Sequence, residues 1–149
     1  MPTPLRARTA LVVAVALVPA AVTTTAMVAS ADASTAAAPV VLRATLKPSG
    51  DPNGSGTALV RLNKANKRVC AVLTWKKIGT PGDAHIHRRS DGSIIIPLTS
   101  AATAPDGAGC TSNVKKSDIA DVIEHPGRYY VNVHNAKYPA GAIQGNLHR

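Results

Sequence analysis

The sequence predicts an all-β protein, an antiparallel β-sandwich with one short helix. Short segments rich in Val, Ile, Leu and Ala show the every-second-residue alternation of half-buried strands. Clusters of Gly, Pro, Asn and Asp separate these segments, and only one segment has helical spacing of its apolar residues. Several short strands joined by frequent turns are typical of two packed antiparallel sheets.

The strands are expected to follow one another within a single domain at residues 39–149. A polar turn joins the second and third strands, which is the pattern of a hairpin. The predicted strands are Val40–Leu46, Thr57–Asn63, Val69–Trp75, Ala84–His87, Ser93–Leu98, Tyr129–His134 and Ala142–His148.

Three features between or within these strands carry further expectations. Pro97 lacks a backbone N–H, which places its strand at a sheet edge or makes Pro97 the end of the strand. Residues Thr99–Gly109 are rich in Ala, Gly, Pro and Asp and are predicted to form a loop. Lys116–His125 is the predicted helix, with Ser117 as its N-terminal cap.

The first 31 residues have the features of an export signal. Arg6 and Arg8 precede a long charge-free apolar stretch, which ends in a small-residue pattern that signal peptidase accepts. Pro19 and several threonines interrupt the stretch, which favours cleavage over a retained membrane anchor. We therefore expect a signal peptide at 1–31, a flexible tail at 32–38, and a secreted protein with no membrane span.

Cys70 and Cys110 are the only cysteines in the chain. An even cysteine count in an exported protein predicts a disulfide, and two cysteines allow one intramolecular pairing. Two free buried thiols are the alternative. The sequence contains no Cys-x-x-Cys motif, which argues against thiol catalysis.

The chain is basic, with a formal net charge of +9 that falls to +7 when Arg6 and Arg8 leave with the signal peptide. This excess favours an anionic cell-surface polymer as partner, although general solubility is the plainer explanation. The basic residues are scattered and lack interleaved aromatic residues, so nucleic-acid binding is not expected. The mature protein is expected to be a monomer.

His85 and His87 are the most informative polar residues. Residues two apart on a strand project from the same face, so both imidazoles can reach one metal ion. His134 joins them if its strand lies beside theirs, and three imidazoles with one open position suit copper or zinc. The sequence therefore predicts a candidate metal site at His85, His87 and His134. Asp83 is either a fourth ligand or the partner that orients a histidine.

Plainer interpretations of the aromatic and histidine residues stay open. A His-x-His pair on a strand often only hydrogen-bonds to nearby loops, and His134 can hold its strand end through a backbone carbonyl. His125 is expected to be structural at the end of the helix, and His148 to be exposed. One ring of the Tyr129–Tyr130 pair is expected in the core and the other at the surface.

Four segments occur in an order that resembles one known family, the CHRD domain of chordin and of many secreted bacterial proteins. The resemblance covers about residues 40–147 and implies an extracellular β-sandwich. It implies no defined activity. Growth-factor binding is not carried over, because chordin binds growth factors chiefly through other modules. The segments are Gly56-Thr57-Ala58, Ala84-His85-Ile86-His87, Tyr129-Tyr130-Val131-Asn132-Val133-His134 and Tyr138-Pro139-Ala140-Gly141-Ala142-Ile143-Gln144-Gly145-Asn146-Leu147.

A weaker similarity is to copper/zinc superoxide dismutase, a β-sandwich of immunoglobulin-like type whose copper ligands include a His-x-His strand pair. His85, His87 and His134 match this pattern, but no bridging histidine or zinc loop is evident. Two functions follow as hypotheses. The first is a non-enzymatic secreted CHRD module, with no catalytic residues, that binds an unidentified extracellular ligand or surface. The alternative is a copper- or zinc-dependent redox enzyme of dismutase-like type.

Overall fold

A computed structural model describes residues 38–149 of the chain. The predicted signal peptide at 1–31, and the predicted tail apart from residue 38, lie outside the described residues. Within them, no helix has the length and apolar character needed to cross a membrane.

The described residues form eight strands and two α-helices, with one 3-10 turn. The strands are β1 Val40–Pro48, β2 Ser55–Asn63, β3 Arg68–Lys76, β4 Pro81–Arg88, β5 Ile94–Pro97, β6 Ala108–Thr111, β7 Tyr129–Asn135 and β8 Ile143–Asn146. The helices are α1 Thr99–Ala102 and α2 Lys116–Glu124, and the 3-10 turn is Pro126–Arg128.

All neighbouring strands are antiparallel and follow one hydrogen-bonded order, β5-β4-β7-β8-β1-β2-β3-β6. Strand β1 links the two halves of this order. It pairs with β2 through Val40 to Leu46, and its last residues Lys47 and Pro48 pair with β8. The prediction of a mostly antiparallel β fold is confirmed, and its division into two stacked sheets stays a prediction.

The alternating residues of the strands form one buried core. Because the chain has no Phe, small aliphatic side chains supply most of this core, and Tyr129 is its largest fully buried side chain. Strands β4 and β7 contribute Ala84, Ile86, Val131 and Val133, all fully buried. Their intervening residues therefore face away from the core.

The disulfide and the edge position of β5 agree with the sequence predictions. Cys70 on β3 and Cys110 on β6 lie directly opposite each other and are bonded, which confirms the predicted disulfide. Strand β5 pairs only with β4, so it lies at one end of the strand order, and Pro97 is its last residue.

Two local predictions are wrong. The predicted loop Thr99–Gly109 contains the four-residue helix α1 and the start of β6, so the fold has two α-helices instead of one. Ser117 does not cap α2. Lys115 occupies the N-cap position without a side-chain hydrogen bond, and Ser117 lies inside the first turn. With no such cap, the buried residues Ile119 and Val122 hold the helix against the core.

Candidate metal site

The central strands β4 and β7 bring the three predicted histidines onto one face. Their antiparallel register places Asp83 opposite His134 and His87 opposite Tyr130. His85 lies between these pairs on β4, so it is a diagonal neighbour of His134. We call His85, His87 and His134 the three-histidine cluster.

The cluster is compact. One ring nitrogen from each of the three histidines lies within 4.8 Å of the other two, and no other group of three metal-ligating side chains within residues 38–149 is so placed. The ring centroids of His85 and His134 are 5.1 Å apart, and those of His85 and His87 are 5.5 Å apart. The expected convergence of the three imidazoles is therefore present in the fold.

Backbone carbonyls fix the proton positions on two of the rings. His87 Nδ1 lies 2.9 Å from the carbonyl oxygen of Gly92, and His134 Nδ1 lies 3.0 Å from that of Pro139. A carbonyl oxygen only accepts, so both Nδ1 atoms must carry hydrogen and donate it. In a neutral imidazole the other nitrogen is then an acceptor, which leaves the Nε2 lone pairs of both rings free for a ligand.

Asp83 fixes the third ring in the opposite tautomer. Its Oδ2 lies 3.0 Å from His85 Nε2, and a carboxylate accepts the hydrogen of that nitrogen. The Nδ1 lone pair of His85 is then free for a ligand. The other carboxylate oxygen accepts hydrogen bonds from the Ala84 N–H at 2.8 Å and the Thr99 hydroxyl at 2.5 Å. Of the two roles considered for Asp83, this geometry matches the partner that orients a histidine.

These tautomers turn two acceptors toward each other. His85 Nδ1 and His134 Nε2 are 3.2 Å apart, and both carry lone pairs when the rings are neutral. Two such atoms repel unless a proton or a metal ion lies between them. Two nitrogens bound to one tetrahedral zinc ion lie roughly 3.3 Å apart, since each is about 2.0–2.1 Å from the metal. The observed separation matches that of two ligands of one ion, and it equally matches a hydrogen bond between the two nitrogens when one of them carries a proton.

Burial favours the neutral, metal-binding form of the His85 ring. Desolvation lowers the pKa of His85 below its usual value, and the neighbouring His134 and His87 lower it further, against the opposing effect of Asp83. His87 is only 7% exposed, and its Nε2 has no hydrogen-bond partner within the described residues. A buried acceptor without a partner destabilises a protein unless a ligand satisfies it.

The cluster lies in an open depression of about 350 Å³. Ile94, which is 56% exposed, and Pro139 form part of its wall. Tyr130 stacks on the His87 ring with the centroids 5.1 Å apart. A metal ion held by the three rings would therefore have access to solvent for a further ligand.

The structure assigns different places to the remaining residues of interest. His125 is exposed at the end of α2, and His148 is exposed in a short bridge to Arg43 of β1, so neither joins the cluster. Tyr129 is 1% exposed while Tyr130 is half-buried on the outer face, which agrees with the expected core and surface pair. Sequence reasoning missed Gly92, Thr99 and the stacking role of Tyr130.

The protein is therefore a mostly antiparallel β domain that carries a histidine cluster on one face of strands β4 and β7. The CHRD domain family model matches residues 37–147, and the chain belongs to that family. No curated protein and no solved structure matches it in the corresponding searches.

Proposed function

We propose that this protein is a secreted CHRD module that binds one copper or zinc ion through His85, His87 and His134. In this proposal the leader at residues 1–31 is removed, and the remaining chain acts outside the cell as a two-layered β-sandwich. The recurrence of CHRD domains in secreted proteins supports the location. The module binds an extracellular ligand or surface and is not an enzyme.

The observation that carries the metal proposal is the arrangement of donors and acceptors around the cluster. Each ring has one nitrogen committed to a carbonyl or carboxylate oxygen, which leaves one lone pair on each ring. Metal-binding histidines in proteins show the same pattern, because the second nitrogen is held by an oxygen acceptor that fixes the tautomer. Loop contacts alone leave the buried His87 Nε2 without a partner among the described residues. They also leave His85 Nδ1 facing His134 Nε2 at 3.2 Å, and either a shared proton or a metal ion would join these two nitrogens.

A metal titration tests the proposal. The full chain, including its leader, is expressed and the exported product is purified, and its N-terminal residue is determined. Zinc and copper are then titrated in a calorimeter. We expect about one ion per chain, with affinity at least about tenfold lower after His85→Ala, because one of three ligands is lost. His125→Ala is the matched control, since it removes an exposed histidine outside the cluster, and it should bind as the unaltered protein does.

A redox enzyme is the alternative function, and the open side of the cluster favours it. Copper at such a site supports electron transfer to small molecules that reach the free position. The copper-loaded protein should then accelerate superoxide decay catalytically, and His85→Ala should abolish this activity. One bound ion without turnover supports the binding module. Failure to bind either metal contradicts both functions.

A further inference from the structure

A second feature of interest is a cleft lined by three arginines, away from the histidine face. Arg88, Arg89 and Arg128 line a cavity of about 450 Å³ where the turn after β4 meets the 3-10 turn before β7. This volume lies within the range of about 300–1,000 Å³ that is usual for small-molecule sites. We call this feature the arginine cleft.

The backbone holds the cleft together. The Arg89 N–H donates to the carbonyl of Arg128 at 2.9 Å, and the Arg89 guanidinium donates to the carbonyl of Gly127 at 3.2 Å. The buried Tyr129 lies in the wall of the cleft, and its hydroxyl donates to Asp121. The two turns therefore keep two guanidinium-bearing residues side by side.

The cleft has an excess of positive charge. Asp121 is the one carboxylate in its lining, and that carboxylate already accepts the Tyr129 hydroxyl. Arg88 lies 3.5 Å from Asp91, which is the only Lys or Arg ion pair within the described residues. The Arg128 guanidinium has no hydrogen-bond or ion-pair partner in that part of the chain. Guanidinium groups bind oxyanions through paired N–H donors, which are available here.

We propose that the arginine cleft binds oxyanion groups of a linear anionic polymer. Arg89 and Arg128 are exposed, so water and salt screen their attraction for a single small anion. A polymer presents successive anionic groups, and the first contact raises the effective concentration of the next. The net positive charge of the chain adds attraction for such a polymer but little for one ion. The site is independent of the metal proposal.

Charge reversal within and away from the cleft tests this assignment. Long-chain polyphosphate is the polymeric probe, and inorganic phosphate is the small-ion probe. The cleft variant is Arg89→Glu/Arg128→Glu. The matched control is Lys64→Glu/Arg68→Glu, which makes the same change in net charge on exposed residues around the β2–β3 turn. Circular dichroism verifies folding. If the glutamates prevent folding, Arg89→Gln/Arg128→Gln replaces the cleft variant and Lys64→Gln/Arg68→Gln replaces its control, so that the two changes in net charge stay equal.

We expect the unaltered protein to bind polyphosphate with an affinity that falls steeply with salt. The cleft variant should lose at least about tenfold in affinity, and its salt slope should fall by roughly one for each lost contact. The control variant should lose markedly less. Equal losses in the two variants would show that diffuse surface charge is responsible and would overturn the proposal. Absence of polyphosphate binding would also overturn it, as would inorganic phosphate that competes equally well at the same phosphate concentration.

Discussion

Replacing His87 by phenylalanine is expected to stabilise the metal-free protein and to destabilise the metal-bound protein relative to the unaltered chain. His87 is buried with an Nε2 atom that has no partner among the described residues, while its Nδ1 donates to Gly92. Phenylalanine keeps an aromatic ring for the stack with Tyr130 and removes both nitrogens. The effect of the substitution on stability therefore depends on whether the Nε2 or the Nδ1 atom contributes more, in the metal-free and in the metal-bound protein.

The two contributions can be compared. A buried acceptor without a partner costs about 1–3 kcal/mol, whereas the lost hydrogen bond contributes about 0.5–1.5 kcal/mol. Without metal, His87→Phe should thus raise the free energy of unfolding by about 1 kcal/mol, or the melting temperature by roughly 5 °C. A metal at 100 times its dissociation constant adds about 2.7 kcal/mol to the unaltered protein. The order of stability should therefore reverse.

Thermal unfolding measures this reversal, first after treatment with a chelator and then with excess zinc. His125→Phe is the control, because it introduces the same ring at an exposed position outside the cluster and should show no reversal. If His87→Phe is less stable than the unaltered protein by more than about 2 kcal/mol in chelator, the Nε2 atom is satisfied without metal. The reasoning from the free lone pair would then fail.

Three further changes have expected outcomes. Asp83→Asn places an amide donor beside His85 Nε2, which drives its proton to Nδ1 on the metal side, and calorimetry should show metal affinity about 10–100-fold lower. Cys70 and Cys110 are 40 residues apart. Replacing both by alanine should lower the free energy of unfolding by about 4 kcal/mol in denaturant titrations. No loss would mean that the disulfide does not constrain the unfolded chain. Burial and then the hydrogen bond to Asp121 raise the pKa of Tyr129, so its contribution to stability is complete below its unfolded pKa of about 10 and is lost as the pH rises through the folded value. Tyr129→Phe should flatten that alkaline loss, and an unchanged pH profile would contradict the assignment.

The strand pattern could be predicted because alternation marks which side chains enter the core. Val131 and Val133 are buried in the core and alternate with residues on the outer face of β7, as the sequence pattern requires. Strand β6 has no such marker, because Ala108–Thr111 contains small residues that are all half-buried. Helix α1 is a single turn of four residues, too short to show a helical period.

The members of the histidine cluster could be predicted, but the order of its hydrogen bonds could not. The spacing of His85 and His87 places both on one face of their strand. His134 lies near the end of another predicted strand, and it joins them because that strand pairs with theirs. The proton positions depend on the backbone carbonyls of Gly92 and Pro139. Every residue type has a backbone carbonyl, so the sequence does not mark these two. Only the path of the loops shows which carbonyl reaches which ring.

The disulfide also protects an edge of the sheet. Strand β6 is four residues long and lies at the end of the strand order, where it pairs with residues 69–72 in the first half of the nine-residue strand β3. If β6 detached, the unpaired N–H and C=O groups of β3 would form a template on which a second chain could add a strand. The bond between Cys70 and Cys110 keeps β6 in place, and we expect it to oppose intermolecular aggregation as well as unfolding.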